Sequence, residues 1–199
     1  MAKRLLDLLL AALGLMVLSP LLLVIAVVIK RDSPGPVFFR QQRVGRHGRL
    51  FRIHKFRTMR DGAAESGPQI TVGDDARITT AGRWLRRTKL DELAQLIDVL
   101  RGDMSLVGPR PEVPRYVALY PEALKTTLLS VRPGITDPVS LDFADESARL
   151  AHAADPEREY REVLLPAKLR AAAAYVEQAS VWTDLHVMAR TLRLLVRRA

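Results

Sequence analysis

The sequence predicts a mostly helical α+β protein. Its parts are a re-entrant N-terminal membrane helix, a basic β-hairpin and a cytoplasmic helical domain carrying interfacial amphipathic helices. Three observations predict this: an uncharged apolar run near the N-terminus, two aromatic-rich basic runs around a glycine turn, and helical periodicity through most of the remainder. The 199 residues suffice for one domain with a core. The expected division is 1–31 for the membrane helix and 32–199 for the membrane-associated domain, with 146–199 forming C-terminal helices.

The first element is Leu8 to Ile29, 22 residues without a charge. As a straight helix it would reach roughly 33 Å, about one bilayer core. It is too long for a signal peptide, and no A-x-A-like site follows it. Ser19-Pro20 falls mid-run, where proline removes a backbone donor. Lys3 and Arg4 precede the run and Lys30 and Arg31 follow it. The positive-inside rule wants both ends in the cytoplasm. A helix broken at Ser19-Pro20 that turns back satisfies both ends; a proline-kinked spanning helix, the alternative, satisfies one.

Ser33-Pro34-Gly35-Pro36 stops that helix. Val37–Arg43 and Arg49–Met59 then flank the turn Val44–Gly48 and read as a hairpin. In the second run Phe51 and Ile53 share one face and alternate with Arg52 and His54. Eight cations from Arg40 to Arg60 make this region strongly basic. It is a solvated charged face, a surface for anionic headgroups, or a phosphate site centred on Lys55 and Arg57. A nucleic-acid partner also fits the charge, but the membrane segment ties the chain to the bilayer and argues against one.

The third element is LRRTKLDELAQLI, Leu85 to Ile97. Thr88 followed by Asp91 resembles a capping box with Asp in place of Glu. Leu90, Leu93, Ala94, Ile97 and Leu100 recur at helical spacing and should face the core. Asp91, Gln95 and Asp98 lie on another stripe. Acidic residues in a first helical turn are ordinary, because the backbone N–H groups favour anions there. The functional alternative is an ionised Asp91 beside Arg86 and Arg87 that attacks phosphorus. Downstream, Arg110 is held extended between Pro109 and Pro111. Arg132 precedes a Pro-Gly pair suited to a type II turn.

The formal net charge is +9 and the sequence pI is about 10.4, which favours anionic partners. The absence of cysteine excludes disulfides, thiolate metal sites and a cysteine nucleophile. No Asp-x-Asp and no P-loop motif occurs, which disfavours a conventional nucleotide-sugar glycosyltransferase and a P-loop enzyme. Adjacent helical carboxylates diverge too far to flank a glycosidic bond. The non-enzymatic rival is a membrane-tethered basic module that binds anionic lipid or nucleic acid.

Taken in order, KRLLDLLLAALGLMVLSPLLLVIAVVIK, RVGRHGRLFRIHKFRTM, LRRTKLDELAQLIDVLRGDMSLVGPRP and RPGIT resemble the bacterial sugar transferases, the monotopic polyprenol-phosphate phosphoglycosyl transferases, in their small form. The resemblance covers roughly Lys3 to Thr136. It implies that Asp91 attacks the β-phosphate of a UDP-sugar, expels UMP and holds a phosphosugar, which polyprenyl (undecaprenyl) phosphate then takes. It implies proton transfer or metal support for Glu92, and a re-entrant helix broken at Ser19-Pro20. Arg86 is implied for the lipid phosphate, and Lys55, Arg110 and Arg132 for other phosphates. Mg²⁺ is the implied cofactor, with Asp91 as its ligand. The implied location is the cytoplasmic face of the inner membrane, among membrane lipids, and the implied role is the first membrane step of glycoconjugate or exopolysaccharide assembly. Self-association as a homodimer stays open.

The sequence departs from the family pattern after RPGIT, where Asp137 to Phe143 replaces a glycine and a WAQVNGR-like stretch. Donor identity therefore does not carry over. Asp98 stands where Asn is frequent and is a candidate metal-facing carboxylate. Further on, Asp155-Pro156 opens a helical stretch that Pro166 interrupts, and Ser180 or Thr183 caps the last helix. Arg190, Arg193, Arg197 and Arg198 make that helix basic and amphipathic; packing on the domain is its expected role, membrane contact the alternative.

Overall fold

The computed structural model describes residues 1–63, 75–143 and 146–198. Its first element, α1, spans Ala2–Asp32 as one helix, so the break expected at Ser19-Pro20 does not occur. The reason is local. Pro20 lacks the N–H that would bond the carbonyl of Met16, and Ser19 Oγ donates to that same oxygen at 2.8 Å. The proline's missing bond is thus replaced from the neighbouring hydroxyl.

Helix α1 is long and apolar enough to cross a membrane, yet it lies against the domain along its length. Near the N-terminus, Lys3 Nζ donates to the Val107 carbonyl at 3.0 Å and pairs with Asp184. Arg4 donates to the Val99 carbonyl at 2.9 Å. Buried Asp7 accepts from Ser105 Oγ at 2.8 Å and from the Leu106 N–H at 3.1 Å. Ala11, Leu15 and Leu18 pack on Phe51, Leu96 and Val99. Ile25 and Ile29 pack on Phe56, Leu85 and Ala94. At the C-terminal end Asp32 accepts from the Ala81 N–H at 3.1 Å. The opposite face leaves Leu5, Leu9, Leu13, Met16, Val17, Val24 and Val28 exposed. Their spacing, mostly three and four residues, makes one apolar stripe.

The basic region forms two antiparallel ladders: β1 (Phe38–Phe39) with β4 (Lys55–Phe56), and β2 (Gln42–Val44) with β3 (Leu50–Arg52). The Ile53 N–H bonds the Gln41 carbonyl at 3.1 Å between them. His47 and Gly48 turn the chain with left-handed backbones. Phe51, Ile53 and Phe56 are buried, and so is His54, which the alternation had placed on the charged face.

Helix α2 (Thr80–Thr88) is capped by Thr79, whose Oγ1 accepts from Gly82 N at 3.0 Å. A Cβ on Gly82 would lie 2.0 Å from the Thr58 carbonyl oxygen, so only glycine lets α2 sit this close to the strand end. Lys89, with φ 59°, ends α2. A 3-10 segment over Leu90–Gln95 follows and leads into α3 (Leu96–Arg101). The capping box expected at Thr88 is absent; its hydroxyl bonds back to the Trp84 carbonyl at 2.9 Å.

The expected stripe holds in part: Ala94 is buried and Leu90 packs on the core beside α1. Asp91, Gln95 and Asp98 are buried, whereas Leu93 and Ile97 are half-buried and Leu100 is exposed. Here the polar side of the segment faces the strand ladder, and the helix periodicity rule assumed the reverse.

Strand β5 (Ser105–Val107) pairs in parallel with β6 (Gly134–Thr136), and α4 (Pro114–Val117) and α5 (Glu122–Leu129) lie between them in sequence. Gly134 starts β6 and has no positive φ, so Pro133-Gly134 is not the type II turn expected. A Cβ on Gly134 would lie 2.1 Å from Gly108 N, so close strand approach explains this glycine.

The C-terminal helices are α6 (Pro138–Asp142), α7 (Glu146–Ala151), α8 (Pro156–Glu159), α9 (Leu165–Glu177) and α10 (Val181–Arg198). A π-helical turn over Tyr160–Leu164 joins α8 to α9, so Pro166 falls in the first turn of α9 and does not interrupt it. Val113, Tyr116, Leu128, Leu150, Leu164 and Leu169 build the core there. Ser180 Oγ accepts from the Thr183 N–H at 3.1 Å at the start of α10. Val187 of α10 is buried on the domain, and Trp182, Leu185 and Leu192 are exposed. The side chains of Arg197 and Arg198 lie outside the described residues.

Candidate active site

The site is organised by one short run, His54 to Thr58, whose polar side chains reach several different elements. Lys55, on β4, is the central one. Its Nζ lies 2.9 Å from Asp91 Oδ2 and 3.3 Å from Glu92 Oε1. One ammonium therefore holds both carboxylates of the pair. The pairing works because the tight 3-10 turn after Lys89 brings the first turn of that segment against β4. Glu92 also takes Arg110, at 2.7 Å from NH2 to Oε1 and 3.4 Å from NH1 to Oε2. Pro109 and Pro111 limit the backbone freedom of Arg110, as the sequence implies.

Asp91 is 2% exposed, and its Oδ1 has no hydrogen-bond partner among the described residues. A buried carboxylate oxygen without a hydrogen-bond partner costs free energy. Its neighbour Oδ2 is neutralised by Lys55, so the carboxylate presents one free, electron-rich oxygen. Burial raises the pKa of Glu92, but Arg110 and Lys55 outweigh it and hold Glu92 well below the usual carboxylate range. Glu92 in turn raises the pKa of Arg110. Burial lowers the pKa of Arg86, against the opposing field of Asp91. Arg86 Nε donates to Thr58 Oγ1 at 2.8 Å, which fixes this cation beside the pair.

The remaining predicted residues fare differently. Arg57, expected at a phosphate, is 4% exposed, and its guanidinium is taken up at the C-terminal end of α1. Its Nε donates to the Pro36 carbonyl at 2.6 Å, NH1 to Ser33 Oγ at 2.7 Å and the Pro34 carbonyl at 2.8 Å, and NH2 to the Ser33 carbonyl at 2.8 Å. Arg132 donates from Nε to the Gly102 carbonyl at 2.8 Å, a contact away from the Asp91 cluster. Asp98, the candidate metal-facing carboxylate, is fully buried. Its two oxygens meet His54, at 2.7 Å from the backbone N and 2.6 Å from Nδ1. Arg110 also borders a cleft with Asp137, Ser140 and Lys168. Asp137 caps α6 there, and burial raises its pKa.

The sequence profile of the family described as bacterial sugar transferase matches residues 1–198. The chain belongs to the bacterial sugar transferase family. Among its relatives, the "UDP-N-acetylgalactosamine-undecaprenyl-phosphate N-acetylgalactosaminephosphotransferase" of Aeromonas hydrophila is 37% identical over 98% of this chain and 43% of its own length. The "UDP-glucose:undecaprenyl-phosphate glucose-1-phosphate transferase" of Caulobacter vibrioides is 38% identical over 98% of this chain and 69% of its own length. The "Exopolysaccharide production protein PSS" of Rhizobium leguminosarum bv. phaseoli is 50% identical over 54% of each chain. The chain thus spans under half of the Aeromonas sugar transferase and about two thirds of the Caulobacter one.

Within this family member, sequence reasoning missed His54 and Thr58 as parts of the site. Their only sequence signal is position: they flank Lys55 and Arg57 in one strand run. The donor set fits a hard cation carried in with phosphates. Such a cation needs one or two carboxylates from the protein, and Asp91 Oδ1 is a buried oxygen donor without a partner among the described residues. Among the described residues no group of three or more His, Cys, Asp or Glu side chains forms a separate cage.

Proposed function

We propose that the chain transfers a phosphosugar from a UDP-sugar to polyprenyl (undecaprenyl) phosphate, through a covalent intermediate on Asp91, to give polyprenyl-diphospho-sugar and UMP. The single observation that carries this is the buried, unpartnered Oδ1 of Asp91 set beside Oδ2 held by Lys55. Asp91 Oδ1 forms a bond to the β-phosphorus as the bond from that phosphorus to the bridging oxygen breaks. The leaving UMP takes the electron pair, and an acyl phosphate remains. An oxygen of the polyprenyl phosphate then attacks the same phosphorus, and the carboxylate of Asp91 leaves.

Lys55, Arg110 and Arg86 supply the positive field for two anionic substrates. Glu92 sits between Lys55 and Arg110 and orients both. Mg²⁺, held by Asp91, would neutralise the diphosphate. The donor enters through the cleft that opens from Arg110. Names among the relatives pair UDP-sugars with undecaprenyl phosphate, which supports this substrate class.

Both ends of α1 are tied to one domain, through Lys3, Arg4 and Asp7 at one end and Asp32 at the other. A spanning helix would carry one end to the far side. The helix therefore dips into the cytoplasmic leaflet with its exposed apolar stripe in lipid, and the enzyme works at the cytoplasmic face. The chain has no cysteine, so a cysteine at exposed Ala2 is a unique probe. It should stay unlabelled by an impermeant thiol reagent in intact cells and label after lysis; labelling from outside would refute the topology.

The activity test supplies the purified chain with a panel of UDP-sugars, undecaprenyl phosphate and Mg²⁺, and measures UMP. UMP should form with at least one donor and depend on the lipid for turnover beyond one equivalent. No UMP from any donor would refute the proposal.

A further inference from the structure

Asp98 belongs to no step above, yet it is the most completely buried carboxylate among the described residues, with 0% exposure. It stands on α3, about two helical turns beyond Asp91. One oxygen accepts the backbone N–H of His54 at 2.7 Å and the other meets His54 Nδ1 at 2.6 Å. The ring edge-packs on Phe38 of β1, with centroids 5.8 Å apart. His54 is the residue immediately before Lys55. The segment 91–98 and the run 54–55 therefore touch at both ends: Asp98 on His54 at one end, and Asp91 with Glu92 on Lys55 at the other.

From this closed arrangement we infer that Asp98 and His54 form a positioning pair that sets the register of Lys55 against Asp91 and Glu92. Lys55 is a long side chain with a flexible four-carbon stem, and alone it would sample many positions. Strand β4 pairs with β1 over only two residues, and the Ile53–Gln41 and Arg57–Val37 backbone bonds extend that pairing on either side; these bonds tie the run to residues 37–41 and none of them ties it to the segment that carries Asp91 and Glu92. A two-point carboxylate contact supplies the missing constraint, since it engages both the backbone N–H and the ring of one residue. Nδ1 must carry the proton to donate to Asp98, so the contact also selects one tautomer. The cluster of Lys55 with Asp91 is thereby preorganised before substrate arrives.

This inference rests on the phosphosugar-transfer reading, and the test separates the two. Wild-type enzyme that forms no UMP refutes that reading; the following outcomes concern only the positioning pair. Single-turnover formation of the phosphosugar adduct is followed by intact-protein mass for Asp98→Asn, Asp98→Ala, Lys55→Met and the two double variants. Asp98→Ala should slow adduct formation by roughly 10- to 100-fold, the scale of a misplacement near 1 Å. Asp98→Asn, which keeps an acceptor for the His54 N–H, should recover most of that rate. In the Lys55→Met background both substitutions at 98 should change the remaining rate by less than about twofold, because pairs that act through one another are not additive. A donor KM that stays near the wild-type value while kcat falls is the expected companion. A full additional loss in the Lys55→Met background would overturn the inference, as would a wild-type rate in Asp98→Ala. If Asp98→Ala does not fold, His54→Phe, which removes the ring contact with Asp98 and keeps a ring against Phe38, goes through the same cycle and is judged by the same criterion.

Discussion

Asp91→Asn is expected to lower UMP release by at least about a thousandfold and to eliminate the phosphosugar adduct. The substitution keeps the side chain's size in a site that is 2% exposed, so packing is preserved. What it removes is the anionic oxygen. Oδ1 has no partner among the described residues. The amide that replaces the carboxylate keeps a carbonyl oxygen for Lys55, which also retains Glu92 at 3.3 Å, so no buried cation is stranded. The thermal midpoint should consequently move by only a few degrees. Glu92→Gln should lose far less, about 10- to 100-fold, because its carboxylate orients Lys55 and Arg110 and does not attack. Trypsin releases both residues in the peptide Leu90–Arg101, and fragmentation separates them. An adduct placed on Glu92, or one that persists in Asp91→Asn, would overturn the nucleophile assignment.

Much of this site was legible in the sequence, and what was not has identifiable causes. Lys55, Arg86 and Arg110 could be singled out from charge and proline spacing, which are local properties, whereas Asp91 and Glu92 stood out from an ordinary helix start through the family resemblance. The orientation of the segment that carries Asp91 was not. Helical periodicity says which residues share a face, but here only Leu90 and Ala94 of the apolar face reach the core, while Asp91, Gln95 and Asp98 are buried. A polar face turned inward is the signature of a site, and it needs the strand ladder opposite to become visible. The helix through Pro20 was misread for a related reason. Proline's missing donor is predictable, but its replacement by Ser19 Oγ is a matter of one rotamer. The parallel pairing of Ser105 with Gly134 leaves no local pattern at all. Asp98 was placed on the right stripe, but its contact with a histidine 44 positions away has no local signal.

Arg57 shows most sharply how a sequence position and a chemical role can separate. Arg57→Lys is expected to lower stability by about 3 kcal/mol while leaving the donor KM within about twofold at a permissive temperature. The guanidinium serves three carbonyls and one hydroxyl just past the end of α1, spread over Ser33 to Pro36. An ammonium has three donors on one atom and cannot span that arc, so two or more carbonyls are left unmet. For a chain of this length the loss corresponds to a fall in thermal midpoint of roughly 6–12 °C in detergent. A phosphate ligand would behave in the opposite way: lysine would keep the charge, stability would hold and KM would rise. The two roles thus predict opposite patterns from one conservative change. Arg57 lies two residues beyond Lys55 on the same run, so the anchor of the membrane helix and the cation of the carboxylate pair move as one piece. Loosening Arg57 should therefore also increase proteolysis between Asp32 and Val37 before it changes the chemistry, and protection there with lost affinity for donor would restore Arg57 to the phosphate site.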